Sequence, residues 1–326
     1  MRVVDLEPGS IVRITARRPW GWWRVQVQET TAEFRANENG VVDLSSMAST
    51  DAPWEGVDAR GLFWSMRSTG VAQPSDWPTS EVRLRASVEG DVVATAKVIL
   101  LPGTTDQCEV ALPQEFPHAF LSLPPVDQRV DPPGGSQSWP VIIALGGSEG
   151  GDSAARAFAS RFTARGYAVV GYPYYSPAET GQPQALPGLS RAFHATDLSR
   201  RAGVRDWIRG RAELDGEKIG LYGISKGAEF VLAAASRIDG FSCVAGIVPS
   251  DVIWEGWGPG TASGQASSFA FEGEPLPFVP YEGMVEVLES QGTGQPLPIR
   301  GPHDAGREAF PERVGPARID VARSDE

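Results

Sequence analysis

The stretch Ile219-Gly-Leu-Tyr-Gly-Ile-Ser-Lys-Gly-Ala-Glu-Phe230 decides how the second half of this chain folds. It reads as an apolar strand, a five-residue turn Gly223-Ile224-Ser225-Lys226-Gly227, and the start of an alanine-rich helix. This is G-x-S-x-G spacing in the strand–turn–helix context that its geometry requires. The turn is so tight that a side chain at 223 or 227 would collide with neighbouring backbone, so both positions call for glycine. Ser225 is thereby pushed out above the sheet. The helix that follows aims its first amides at the hydroxyl and favours negative charge there. Ser225 is the candidate nucleophile.

Working outward, the apolar run Val141–Leu145 leads into Leu145-Gly-Gly-Ser-Glu-Gly-Gly151. A glycine-rich loop at this place supplies one amide of an oxyanion hole, and the residue after the serine, Lys226, supplies the other. Ser148, or Gly147 one residue earlier, is the candidate first donor. The loop is not G-x-G-x-x-G, and Glu149 inside it would repel a pyrophosphate, which argues against a dinucleotide site. Further strands are expected at Tyr167–Gly171, Lys218–Tyr222 and Ser242–Val248. Helices are expected at Ser153–Arg165, His194–Arg209 and Gly227–Ser236. Such alternation makes a parallel sheet with helices on both faces. Residues 250–316 are rich in Gly and Pro, with one helical stretch near Tyr281–Ser290. Segments 173–190 and 250–300 are expected to wall the substrate pocket.

Upstream the pattern is different. Residues 1–122 show short alternating runs at Ile11–Ile14, Trp22–Gln28, Thr31–Ala36, Val82–Val88 and Asp91–Leu100, with turn signals at Asn39-Gly40 and Glu89-Gly90. Runs at this spacing predict an all-β sandwich. The Pro/Gly/Ser-rich stretch 123–139 reads as a linker, and residues 140–326 as the second domain. Trp20, Trp22, Trp23, Trp54 and Trp64 crowd the N-terminal part, where they serve either as core filler or as a carbohydrate-stacking surface.

The chain has 326 residues, 41% hydrophobic and 21% charged, with a formal net charge of −12. An acidic surface without a Lys/Arg block argues against a nucleic-acid partner. The longest apolar runs are too short to span a bilayer, and the first residues lack the pattern of a signal peptide. The two cysteines, Cys108 and Cys243, are far apart and lack metal-ligand spacing. A reducing, cytoplasmic setting fits them. Neither a metal nor a cofactor is expected.

Stretches in both halves of the chain now resemble a known family. Ala32-Glu-Phe-Arg-Ala-Asn-Glu-Asn-Gly-Val-Val-Asp-Leu44 and Gly56-Val-Asp-Ala-Arg-Gly-Leu-Phe-Trp-Ser-Met66 look like the N-domain signature of the acyl-CoA thioesterase and bile-acid-CoA:amino acid N-acyltransferase family. Leu145–Gly151 and Ile219–Ser236 look like its oxyanion loop and nucleophile helix. The resemblance implies an immunoglobulin-like N-terminal sandwich followed by an α/β-hydrolase domain. It also implies an acyl-CoA or other acyl-thioester substrate, with the acyl group taken by Ser225 and passed to water. The amine-transferring branch tends to use cysteine at that position.

In the family pattern the acid and the histidine follow the segment that resembles Arg307–Val321. The last two strands of the sheet, with the triad Asp and His, are therefore expected to be absent from this chain, whether by natural truncation, because the sequence is a fragment of a longer one, or because a second copy or a partner supplies them. The histidines in hand are His118, in the expected sandwich, His194, at a helix start, and His303, in a glycine-rich loop. A local triad would use His303 as base and Asp251 as acid. Lys226 is either solvated or attracts CoA phosphates, and Glu229 suits the helix dipole. Two other functions remain open. One is a non-catalytic or partner-completed acyl-binding protein. The other is a carboxylesterase or dienelactone-hydrolase-like enzyme.

Overall fold

Side chains along Ile11–Trp20 and Glu81–Val88 largely alternate between a buried and an open face, as paired strands require. The computed structural model describes residues 1–20, 25–71, 80–101, 103, 108–124, 138–177, 183–258, 264–289 and 300–319. The chain divides into two compact units, Met1–Leu101 and Pro102–Glu326.

In the first unit, β1 (Arg2–Val3) pairs with β4 (Val42–Asp43), while β2 (Ile11–Trp20), β3 (Gln26–Arg35), β5 (Arg67–Val71), β6 (Glu81–Val88) and β7 (Asp91–Ile99) form an antiparallel sheet in the order β5-β3-β2-β6-β7. Val12, Ile14, Ala32, Phe34, Val82 and Leu84 bury one face of it. Val42, Leu44 and Leu62 join the same core; Leu62 comes from the one-turn helix α1 (Gly61–Trp64). Among the described residues, this face of the sheet is covered by a short ribbon, loops and one helical turn. Four residues are too few for α1 to show a helical period. Glu89 and Gly90 both have positive φ, 51° and 96°, and join β6 to β7 as the turn signal required. Trp54 and Trp64 lie 6.4 Å apart between ring centroids, and the Trp64 indole donates to Asp58 at 2.8 Å. Trp22 and Trp23 lie outside the described residues.

The second unit is built on a six-stranded sheet in the order β14-β13-β10-β11-β9-β8. Its strands are β8 (Cys108–Ala111), β9 (Phe120–Leu123), β10 (Trp139–Leu145), β11 (Ala168–Gly171), β13 (Leu214–Ile224) and β14 (Cys243–Ile247). β11, β10, β13 and β14 run parallel; β9 is antiparallel to both β11 and β8. The pairing of β8 and β9 corrects the boundary expected at residue 122, because both strands hydrogen-bond into this sheet. His118 goes with them into the second unit. The linker expected at 123–139 falls mostly on residues 125–137, outside the described residues, and Trp139 already opens β10. Cys108 and Cys243, expected in different domains, are free thiols on the two outer strands of one sheet.

Helix α2 (Ser153–Thr163) covers one face through Phe158 and Ala159. Helices α3 (Arg200–Arg209) and α4 (Lys226–Ala235) share the other core with Ile143, Leu145 and Leu221. The helix expected from His194 begins only at Arg200, since Thr196–Asp197 forms β12 beside β15 (Phe269–Phe271). β16 (Glu274–Pro275) completes that three-stranded sheet. Beyond it come α5 (Met284–Glu289), α6 (Arg300–Ala309) and α7 (Pro311–Val314). The region after Pro249 is thus more ordered than its Gly/Pro content indicated. Among the described residues, no strand pairs with the outer side of β14.

Phe34 is 2% exposed, whereas Trp64 is 61% exposed. Phe34→Ala should cost about 3–5 kcal/mol of stability, and Trp64→Ala far less despite the larger ring, as read by chemical denaturation of the full chain.

Candidate active site

The elbow after β13 is made by backbone contact. A Cβ on Gly223 would overlap the Gly227 carbonyl, and a Cβ on Gly227 would overlap the Gly146 carbonyl. With no side chains there, the start of α4 settles against both β13 and the loop after β10. The consequence is Ser225 at φ 53°, ψ −121°, a conformation that costs a non-glycine residue about 1–3 kcal/mol. Its amide donates to the Ile247 carbonyl at 2.9 Å, and its carbonyl accepts the Ala228 and Glu229 amides, so both sides of the strained residue are tied down. The side chain is exposed. Among the described residues, Ser225 Oγ makes no hydrogen bond, and neither do the amides of Ser148 and Lys226.

The glycine-rich loop is braced from behind. Tyr174 donates its hydroxyl to the Gly147 carbonyl at 3.1 Å, and Tyr175 donates to the Ser148 carbonyl. In a planar trans peptide the amide points opposite to the carbonyl, so each tyrosine turns the following amide away from itself. Burial raises both phenols above their ordinary pKa, and the Glu149 charge adds to the shift, so they remain donors. The Gly147 amide is already taken, donating to Glu149 Oε1 at 2.8 Å. Of the two first-donor candidates, Ser148 is the one whose amide is left open.

Beneath the serine lies a charge cluster that was read otherwise from sequence. Lys226 is 5% exposed, and its ammonium donates to Glu229 Oε1 and Oε2, each at 3.0 Å, and to Ser268 Oγ at 2.8 Å. Glu229 also accepts the Trp254 amide at 2.9 Å. Ser268 in turn donates to the Trp254 carbonyl at 2.7 Å. Burial pulls the Lys226 pKa down and pushes that of Glu229 up, against the attraction each exerts on the other. Lys226 is therefore neither solvated nor placed to meet CoA phosphates, and Glu229 does more than complement the dipole. The signal was available in the i, i+3 Lys–Glu spacing, which an amphipathic reading assigns to solvent.

The expected local triad does not assemble. Asp251 accepts a salt bridge from Arg307. Partial burial works against its charge, but Arg307 outweighs this and holds the carboxyl below its ordinary pKa. His303 sits on helix α6 instead of in a loop, its ring 4.6 Å from Trp254 and 4.9 Å from Tyr281, edge-on to both. Trp254 and Tyr281 stack at 5.1 Å. His118 donates from Nε2 to the Pro187 carbonyl at 2.7 Å. No hydrogen bond joins Ser225, His303 and Asp251 among the described residues.

Arg201, in the first turn of α3, was not foreseen. It is 2% exposed, and its guanidinium lies 3.5 Å over the Tyr172 ring and 4.9 Å over Phe230. Burial lowers its pKa to about 10. Nη2 donates to the Asp197 carbonyl at 3.4 Å, while Nε and Nη1 have no partner among the described residues.

A serine held at positive φ between a parallel strand and a helix defines the α/β-hydrolase class of site. The family resemblance read from the sequence is borne out by comparison. Residues 1–102 match the family described as acyl-CoA thioester hydrolase/BAAT N-terminal region. Acyl-coenzyme A thioesterase 1 of Mus musculus is 29% identical over 223 residues, 65% of this chain and 48% of its own length. Acyl-coenzyme A amino acid N-acyltransferase 2 of Rattus norvegicus is 26% identical over 251 residues, 72% of this chain and 54% of its own. Bile acid-CoA:amino acid N-acyltransferase of Homo sapiens is 24% identical over 221 residues, 63% and 47%. The chain spans about half the length of these relatives. Among solved structures, a hypothetical protein of Pseudomonas aeruginosa covers 47% of the chain and 46% of its own at 18% identity and a TM-score of 0.33. Among the described residues, no helix is long and apolar enough to cross a membrane.

Two measurements check this account. Gly227→Ala should lower the melting temperature sharply, because the added methyl meets backbone that has no room to move. Gly301→Ala, which meets nothing within 4 Å, should leave it unchanged or slightly raised. Lys226→Met alone strands a buried carboxylate and should cost about 3–5 kcal/mol, while Lys226→Met/Glu229→Leu should cost less. In the single variant the Glu229 pKa rises further above its unfolded value. Its folded state then binds more protons than the unfolded one, so stability falls as pH rises through the carboxylate range. Denaturation midpoints should be higher at pH 5 than at pH 7.

Proposed function

We propose that this protein hydrolyses acyl thioesters, acyl-CoA or another acyl-pantetheine, through an acyl-Ser225 intermediate. One observation carries the proposal: an exposed serine at φ 53°, at the head of α4 and beside the glycine-rich loop, with the Ser148 and Lys226 amides unpartnered among the described residues. Ser225 Oγ adds to the thioester carbonyl as a base takes its proton. The negative charge that develops on the carbonyl oxygen meets the Lys226 and Ser148 amides, donors fixed in advance by α4 and by the Tyr174–Tyr175 brace. The carbon–sulfur bond breaks, the thiol leaves, and water releases the acid by the same steps. The thioester class comes from the relatives, which include acyl-coenzyme A thioesterases. A serine in place of cysteine favours water as the acceptor. An immunoglobulin-like first domain, a cytoplasmic location and completion of the sheet by a second copy or partner belong to the same proposal.

A second reading is an acyl-binding protein without turnover. It is favoured by the engagement of Asp251 with Arg307 and by the absence of a Ser225–His303 bond among the described residues. Hydrolysis of a panel of acyl-CoAs, followed by thiol release, separates the two. The wild-type chain should turn over at least one of them, and Ser225→Ala should lose activity by at least about 1,000-fold. Turnover retained in Ser225→Ala would overturn the nucleophile assignment. Saturable acyl-CoA binding without turnover would favour the binding role. Faster cleavage of an oxygen ester with the same acyl group would point to a carboxylesterase of dienelactone-hydrolase type.

A further inference from the structure

Val248 is strained at a place that neither burial nor hydrogen bonding explains. Strands β13 and β14 run in parallel register, Gly223 beside Gly246 and Ile224 beside Ile247. The Ser225 amide donates to the Ile247 carbonyl at 2.9 Å. Val248 therefore stands level with Ser225 at the end of the neighbouring strand, where strand spacing sets the two backbones about 5 Å apart. Both residues have positive φ, 53° at Ser225 and 49° at Val248. The glycine elbow forces the first, and no such contact forces the second. A β-branched side chain is a rare occupant of this region, and Pro249 pushes the residue before it toward extended backbone. Such a residue persists only where its flanks over-determine it. Ile247 is fixed to the elbow on one side. On the other, Ser250 Oγ accepts the Val252 amide at 3.2 Å and the Trp254 indole at 2.8 Å. The strain brings no burial in return, since Val248 is 70% exposed and Ile247 40%. Among the described residues, neither the amide nor the carbonyl of Val248 is hydrogen-bonded.

Its position supplies a reason. In open α/β sheets, ligands lie outside the carboxyl ends of the parallel strands. The glycine-rich loop, Ser225 and Val248 follow the carboxyl ends of β10, β13 and β14, with β13 in the middle. On the β10 side of Ser225 the neighbours are polar, the Ser148 amide and Glu149. On the β14 side they are Ile247, Val248 and Pro249, and the next charge along the chain, Asp251, is paired with Arg307. We infer that Val248 is a specificity-determining residue, whose exposed isopropyl group receives, with Ile247, the first methylenes of an apolar acyl chain. The inference rests on the proposed thioester chemistry at Ser225 and assigns the side of the serine on which the acyl chain lies. A chain that carried a polar group at this point would lose water and gain no partner, and the amide-bearing pantetheine arm is a poorer match for the same reason. Each methylene removed from water is worth about fourfold in affinity.

The test uses the full chain carrying Ser225→Ala, so that thioesters bind without passing through the nucleophile, and measures decanoyl-CoA and acetyl-CoA binding by isothermal titration. Decanoyl-CoA should bind the more tightly, and Val248→Asn should shrink its advantage about tenfold, the worth of some two methylenes. Asparagine is close to valine in size and adopts positive φ readily, so the melting temperature should rise while the contact is lost. Val57→Asn, at a valine 52% exposed in the first unit, should leave the advantage where it is. If Val248→Asn does not fold, Val248→Gly, which also accepts this φ, takes its place. An advantage that Val248→Asn leaves unchanged would overturn the inference. Equal weakening of both ligands would also overturn it, by placing Val248 against the CoA they share. So would decanoyl-CoA binding no better than acetyl-CoA, or not at all. A lower melting temperature would show that the native backbone is not strained there and would remove the ground of the inference. Thiol release by the wild-type chain is measured separately; its absence would overturn the hydrolase reading and leave the binding result standing.

Discussion

Two glycines with no room for a side chain set the rest of the second unit. Gly223 and Gly227 let the end of β13, the head of α4 and the loop after β10 meet backbone to backbone. Everything at the candidate site is indexed to that meeting. It forces Ser225 out of the ordinary φ range and aims the first amides of α4 upward. It also sets Gly147 of that loop against the serine. The strain is held by the Ile247 carbonyl on one side and the first helical bonds on the other, so it cannot relax without unpairing β14 from the elbow or unwinding α4.

The buried Lys226–Glu229 pair extends this constraint to the segment that follows the sheet. Two ions taken out of water are expensive, and their mutual attraction alone seldom repays the cost. Here the remaining hydrogen-bonding capacity is used: Ser268 accepts from the lysine, and Trp254 donates its amide to the glutamate. The segment after the sheet is Gly- and Ser-rich and has little propensity of its own, so these charge-assisted bonds fix Trp254 and Ser268 against α4. His303, Trp254 and Tyr281 then pack as a group.

What was legible in the sequence follows from range. Strands β10, β11, β13 and β14 and helices α2 and α4 were readable because each is a run of one periodicity closed by glycine or a turn. Ser225, Gly223 and Gly227 were readable because their geometry is local to five residues. The placement of β8 and β9 was not, since Cys108–Ala111 and Phe120–Leu123 are short strands whose partner is chosen by tertiary pairing. The burial of Lys226 was hidden for a similar reason. A lysine in a first helical turn looks solvated until residues some 40 positions away close over it. His303 and Asp251 were grouped by sequence logic, but Arg307, one turn along α6 from His303, competes for the acid and wins it by charge.

The electrostatics of the elbow then come down to which charges are already cancelled. Lys226 adjoins Ser225 in sequence, yet its ammonium faces a carboxylate at 3.0 Å on the same helical turn, so it lends the site little net potential. The positive field at the serine is left to backbone amides, whose direction is fixed by α4 and by the two tyrosines. Against that field stands one carboxylate, Glu149, held by an amide of the same loop. A hole made of amides stabilises charge only where it develops and does not move when charge appears, whereas a mobile lysine would pair with any anion that entered. Burying the lysine thus leaves fixed amide donors, and no mobile cation, as the groups that would meet a developing oxyanion.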